Sequence, residues 1–149
     1  MKKLIFDTAN TFLALILING LLHYFLPIKQ IIFPPFVYIG IALFVLGWMP
    51  NIWIGAYFRK IGNPIPANDM PKKLVTSGLF RFSRNPNYLG MAIALLGEAI
   101  FFGSLVSFVI PVAFVILINR TNIPIEERNL EKKFGKRYLD YKKRVRRWI

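Results

Sequence analysis

The stretch Pro86-Asn-Tyr-Leu-Gly-Met-Ala-Ile-Ala-Leu-Leu-Gly-Glu-Ala-Ile-Phe-Phe-Gly-Ser-Leu-Val-Ser-Phe-Val-Ile-Pro-Val-Ala-Phe-Val-Ile-Leu-Ile118 decides the fold. It is apolar almost throughout, holds no base, and has a single acid, Glu98. A helical span of a bilayer takes about 20 apolar residues, so the stretch is too long for one span. Gly103 and Ser104 divide it into two helices, 86–102 and 104–118, joined as a tight hairpin. Both arms are short for a perpendicular span, which predicts a thin or protein-covered hairpin. Pro111 is expected to kink the second arm.

Working outward, two more spans are expected at 8–26, ended by Pro27, and at 34–57, opened by Pro34 and Pro35. The chain of 149 residues is 55% hydrophobic and carries 20 Lys+Arg against 7 Asp+Glu, with the charges lying between the apolar runs. That composition excludes a disordered tail, a collagen or a disulfide scaffold. The expected fold is an all-α integral membrane protein of about four transmembrane helices, forming a single domain 1–149. With four spans, every Lys and Arg except Lys29 falls on one side, shared by both termini and the loop 59–85. The positive-inside rule then places both termini in the cytosol, with a prokaryotic plasma membrane as the expected location. The opening Met1-Lys2-Lys3 before an apolar run reads as an anchor or as a signal peptide. The first is favoured because no small-x-small cleavage site follows.

The loop 61–85 begins as a string of turns around Pro64, Pro66 and Pro71. Beyond the hairpin, Leu130, Phe134, Tyr138, Tyr141, Val145 and Trp148 share one helical face, and nine Lys and Arg between Lys132 and Arg147 share the other. A basic amphipathic C-terminal helix over 126–149 follows, expected to rest on anionic membrane lipids. Nucleic-acid binding competes for so much positive charge. Lipid contact and positive-inside bias already account for the pattern, so no nucleic-acid partner is expected. The absence of Cys excludes thiolate metal sites and Cys nucleophiles, and the single His23 leaves no poly-His metal site or Ser-His-Asp triad. No metal is expected.

Three polar groups call for an explanation. Glu98 lies twelve residues beyond Pro86, about 18 Å along a helix, and so toward the far side of the membrane. It suits a proton relay, a cation site or helix packing beside the small-residue stripe Gly90, Ala94 and Gly97. The second group, Arg81 to Gly90, opens a membrane helix with Asn85 as N-cap and Pro86 at the first position, where free N–H groups suit an anion. The third is Asn119-Arg120-Thr-Asn122 followed by Glu126-Glu127, the acids being expected in a first helical turn after Pro124. The hairpin returns this segment to the depth where residue 86 begins. Arg81, Arg84, Asn85, Tyr88, Asn119, Arg120, Glu126 and Glu127 are expected to converge there, in a pocket suited to a zwitterion.

These motifs carry a family resemblance. Gly78-Leu-Phe-Arg-Phe-Ser-Arg-Asn-Pro-Asn-Tyr-Leu-Gly90 resembles the Gly-x-Tyr-Arg-x-x-Arg-His-Pro-x-Tyr-x-Gly segment of the isoprenylcysteine carboxyl methyltransferase and phospholipid methyltransferase superfamily. Leu96-Gly-Glu-Ala99 through Phe102-Gly-Ser104 resembles the hairpin of its prokaryotic members, and Glu126-Glu127 with the following Leu130, Phe134, Tyr138 and Tyr141 resembles its acidic pair and tail. The match covers about residues 74–149. It implies a small membrane methyltransferase using S-adenosylmethionine, with a lipophilic small molecule or lipid as acceptor. Carried over by motif, the cofactor-binding positions are Arg84, Asn85, Pro86, Tyr88, Leu89, Gly90, Glu126 and Glu127. In that picture Arg84 or the helix N-terminus holds the cofactor carboxylate, and one of the two Glu holds its amino group or ribose. Tyr88 walls the adenosine or sulfonium, and Arg120 meets an anionic acceptor, so that Arg120 and Glu127 are the candidate catalytic residues. The sequence departs from the pattern at Asn85 and Asn119, where His is expected, and at Ile125, where Tyr is expected.

Three other functions compete. A four-helix proton-coupled transporter would use Glu98, a non-enzymatic adaptor would use the basic helix, and a membrane reductase would bind a reduced nicotinamide. The tail and the Arg-Asn-Pro-x-Tyr segment favour the methyltransferase.

Overall fold

The structure, a computed structural model, describes residues 7–26, 28–64 and 71–149. Met1-Lys2-Lys3, Pro27 and Pro66 lie outside the described residues. Among the described residues there are six α-helices and no named strand. They are α1 (Thr8–Phe25), α2 (Val37–Ile61), α3 (Pro86–Phe102), α4 (Val109–Arg120), α5 (Asn122–Phe134) and α6 (Lys136–Arg144), with 3₁₀ turns at Gly78–Arg81 and Leu105–Phe108. Three helical segments are long and apolar enough to cross a membrane: Thr8–Phe25, Val37–Ile61 and the run Leu105–Phe134. Pro86–Phe102 is apolar and shorter. The chain is an integral membrane protein, and its outward-facing apolar side chains, such as Leu17, Ile52 and Val112, are those a bilayer would cover.

Local sequence sets the helix ends. Asp7 caps α1, its carboxylate accepting from the amides of Ala9 and Asn10. The second helix starts at Val37, after the Pro34-Pro35 turn rather than on it, and closes on Gly62 in the left-handed region at φ 71°. Arg59 and Lys60 occupy its last turn, where cations suit the dipole. Gly103, at φ 66°, ends α3 and starts the hairpin. Pro111 sits in the first turn of α4. Its missing N–H is one of the donors a helix start leaves unpaired in any case, so it opens the helix instead of interrupting it. The proline inside a long helix is Pro50, in α2.

Helices α2 and α3 touch backbone to backbone. A Cβ on Gly90 would stand 2.6 Å from the Gly47 carbonyl oxygen, and one on Gly97 2.6 Å from that of Gly40. The small-residue stripe on α3 therefore meets a matching pair of glycines on α2, as close helix approach requires. Phe12, Leu95, Phe114, Ile118 and Ile123 fill the core beside this contact. Helix α1 joins by few buried residues, Thr8, Phe12 and Asn19. The Asn19 amide donates to Glu98 at 3.0 Å, which gives the buried acid a packing partner. At the hairpin end, the amides of Ile31 and Ile32 donate to the Gly103 carbonyl at 2.8 and 3.1 Å, and the Leu105 amide to Lys29 at 3.1 Å.

The C-terminal segment differs from the single helix expected over 126–149. Helix α5 begins at Asn122, only Thr121 separating it from α4. Glu126 and Glu127 therefore stand in its second turn and not in the first. Gly135, at φ 53° and ψ −129°, breaks the helix, and Gly inside a helix is the residue that most readily permits this. From Val145 the chain is extended. The apolar face of α6 does not face lipid: Tyr138 and Tyr141 are buried in the protein, and Trp148 packs against the core.

Candidate functional site

At the charged end, where α3 begins and α5 follows α4, lies a cavity of about 560 Å³, a volume in the range of small-molecule sites. One wall is the start of α3, Arg84 to Tyr88, and another is α5 with Glu126 and Glu127. Asp7 and Thr8 come from α1, Asn51, Ile54 and Phe58 from α2, and Tyr138 and Tyr141 from α6. Lys73 lines it from the connecting segment. Its backbone is fixed by Asn63, whose amide donates to the Lys73 carbonyl at 3.0 Å and accepts from its N–H at 2.9 Å.

The polar atoms fall into two sets. In the first, the Tyr88 hydroxyl donates to Glu126 at 2.5 Å and lies 3.4 Å from the Thr8 hydroxyl, which accepts from the Asn122 amide at 3.2 Å. In the second, Arg84 donates to Glu127 at 2.7 Å and to the carbonyls of Lys142 and Val145 at 3.0 and 2.7 Å. Arg147 grips the same Glu127 through Nε and Nη2, at 3.2 and 2.9 Å, and Lys142 approaches it at 3.5 Å. Two adjacent glutamates thus have different partners: one faces a tyrosine and the other two guanidinium groups.

Of the positions named from sequence, Arg84, Asn85, Pro86, Tyr88, Glu126 and Glu127 line the cavity. Asn85 does not cap α3 with its side chain; its amide donates instead to the Arg147 carbonyl at 3.0 Å. Leu89, Gly90 and Arg120 are not brought to the cavity. Once α3 starts at Pro86, each residue turns about 100° around the helix axis, which carries Gly90 round to Gly47 of α2. Arg120 is exposed in the last turn of α4, a favourable place for a cation. Asn119 is tied to the tail, accepting from Arg147 Nη1 at 3.1 Å and Trp148 Nε1 at 3.4 Å. Sequence reasoning missed Arg147, which reads there as one of many basic residues, and Asn51, whose position directly after Pro50 inside an apolar helix was the available signal.

The fold has a solved counterpart. The fold is that of an intramembrane methyltransferase. The chain superposes on the eukaryotic intramembrane Ras methyltransferase ICMT (isoprenylcysteine carboxyl methyltransferase) with a TM-score of 0.64 and 21% identity, over 97% of this chain and 54% of that one. The sequence model of the phospholipid methyltransferase (PEMT) family matches residues 36–137, and the chain belongs to this family. The match begins well before residue 74 and takes in α2.

Among curated relatives, an uncharacterised protein of Haemophilus influenzae is 37% identical over 62 residues, 42% of this chain and 98% of that protein. Protein-S-isoprenylcysteine O-methyltransferase B of Arabidopsis thaliana is 34% identical over 76 residues, 49% of this chain and 37% of the plant protein. The chain thus matches little more than a third of the length of the plant enzyme and about half that of the solved structure.

Proposed function

We propose that this protein is an S-adenosylmethionine-dependent methyltransferase that acts at the membrane on a lipophilic acceptor, a carboxylate or an amine headgroup. In this reading the charged end and both termini face the cytosol, the cofactor occupies the cavity at that end, and the acceptor reaches it from the bilayer. The observation that carries the reading is the cavity itself. It joins an apolar helical roof to paired acidic and basic groups, on a chain of the phospholipid methyltransferase family.

The residues present fit such a cofactor. Glu126 is hydrogen-bonded by Tyr88 alone among the bonds described above, so its carboxylate keeps acceptor capacity for an ammonium or a ribose hydroxyl. The start of α3 behind Pro86 offers unpaired backbone N–H groups to a carboxylate. Tyr88 presents an aromatic ring of the kind that favours a sulfonium. Arg84 and Glu127, bound to each other, form a fixed part of the wall. When bound, the cofactor supplies an electrophilic methyl group. The protein's share is to align the acceptor with it and to exclude water, which can account for much of the rate of a direct displacement.

Calorimetric titration of the protein in nanodiscs with S-adenosylmethionine and S-adenosylhomocysteine, with reduced nicotinamide as control, tests this. Micromolar binding of both sulfur compounds is expected, weakened in Glu126→Gln. A folded sample that binds neither would overturn the reading.

A further inference from the structure

We infer that Arg147 is a positioning residue of this cavity, whose backbone carbonyl and guanidinium together help to fix the start of α3 against α5. The inference rests on the reading of the cavity as a cofactor site. Arg147 is absent from the cavity lining, so any effect on a bound molecule passes through other groups.

Its carbonyl oxygen accepts from the Asn85 amide at 3.0 Å and the Ser83 hydroxyl at 3.3 Å. These residues lead into α3, and the next amide, Arg84 N–H, donates to the Arg146 carbonyl at 3.0 Å. Its guanidinium binds Glu127 of α5 through two nitrogens and Asn119 of α4 through a third. One residue therefore bridges three helices at the cavity edge. Exposed ion pairs contribute little because water competes for them. This pair is different: the Glu127 side chain is only 6% exposed and is shared with Arg84. A planar fork with several fixed donors suits that geometry, and an ammonium does not.

Without the Arg147 guanidinium, Glu127 keeps Arg84 and Lys142, but the Arg147 carbonyl against Asn85 and Ser83 loses its own tie to α5. The start of α3 is then held to α5 less firmly, through Arg84. The separation between Tyr88 on the one and Glu126 on the other is less closely fixed.

The test compares wild type, Arg147→Ala and Arg147→Lys in nanodiscs by two measurements. The first is the Kd for S-adenosylhomocysteine, with and without added ethylguanidinium. The second is backbone hydrogen exchange, residue 83–90 amides against those of residues 91–101. For Arg147→Ala we expect binding weakened roughly tenfold or more and partly restored by ethylguanidinium. We also expect faster exchange confined to 83–90. Arg147→Lys is expected to recover only part of the affinity, since it supplies charge without the fork.

Unchanged exchange at 83–90 in Arg147→Ala overturns the inference, as does full recovery by Arg147→Lys. If Arg147→Ala does not fold, Arg147→Lys decides by the same two measurements. If the wild type binds no S-adenosylhomocysteine, the proposed function falls, and the exchange comparison still judges the positioning.

Discussion

Two contacts hold this protein together by different means. Between α2 and α3, glycine faces glycine, and the backbones meet with no charged group in the contact. Between the start of α3, α5 and the tail, Arg84, Glu127, Arg147 and Lys142 share ion pairs, and backbone carbonyls satisfy the donors that remain. The first contact leaves no room for added volume. The second depends on the pairing of charges. Lipid offers no hydrophobic drive for helix association, so the buried contact depends on close fit. The junction lies at the edge of that environment, where charges can be paired and still reach a ligand.

The sharpest way to break the contrast is Gly47→Leu. Overpacking a tight core costs about 1–3 kcal/mol where neighbours can move. Here the obstructing atoms are backbone of α3, so the variant is expected to give no monodisperse folded protein on size exclusion. Glu127→Gln should instead remain monodisperse with unchanged helicity. It is expected to lower stability by about 2 kcal/mol, the scale of a hydrogen bond to a charged group, read from thermal unfolding in detergent. Equal damage from the two substitutions would erase the distinction.

The smallest effect is expected for Tyr88→Phe, about 1 kcal/mol, read from the same thermal unfolding, because Glu126 loses one hydrogen bond and the Glu127 ion pairs lose none. A loss as large as that of Glu127→Gln would show that the two glutamates are not separate.

The glycine contact was legible in sequence, and the junction only by half. Small residues at Gly90, Ala94 and Gly97 announce close approach because the spacing and the residue size are themselves the physics. The acidic pair and Arg84 were visible as chemistry, and their convergence followed from the tight hairpin. The tail was not legible. Its acceptors are the carbonyls of Lys142, Val145, Arg146 and Arg147, and a backbone carbonyl has no residue signature. Apolar periodicity ran unbroken through Gly135, because a break that preserves phase leaves the pattern intact. Gly135 itself was the available warning. Arg120 misled for the opposite reason. Its place in sequence is right for the site, but the last turn of α4 leaves it exposed to solvent.

The bridge from residue 147 to residues 83–85 also sets an order of events during synthesis. The α2–α3 contact needs nothing beyond residue 102 and can form while the ribosome is still making the rest. The bridge itself cannot form until residue 147 has been made, when α4 and α5 are already in the chain. A chain interrupted between would keep the glycine contact and lack the tie from residue 147 to the start of α3.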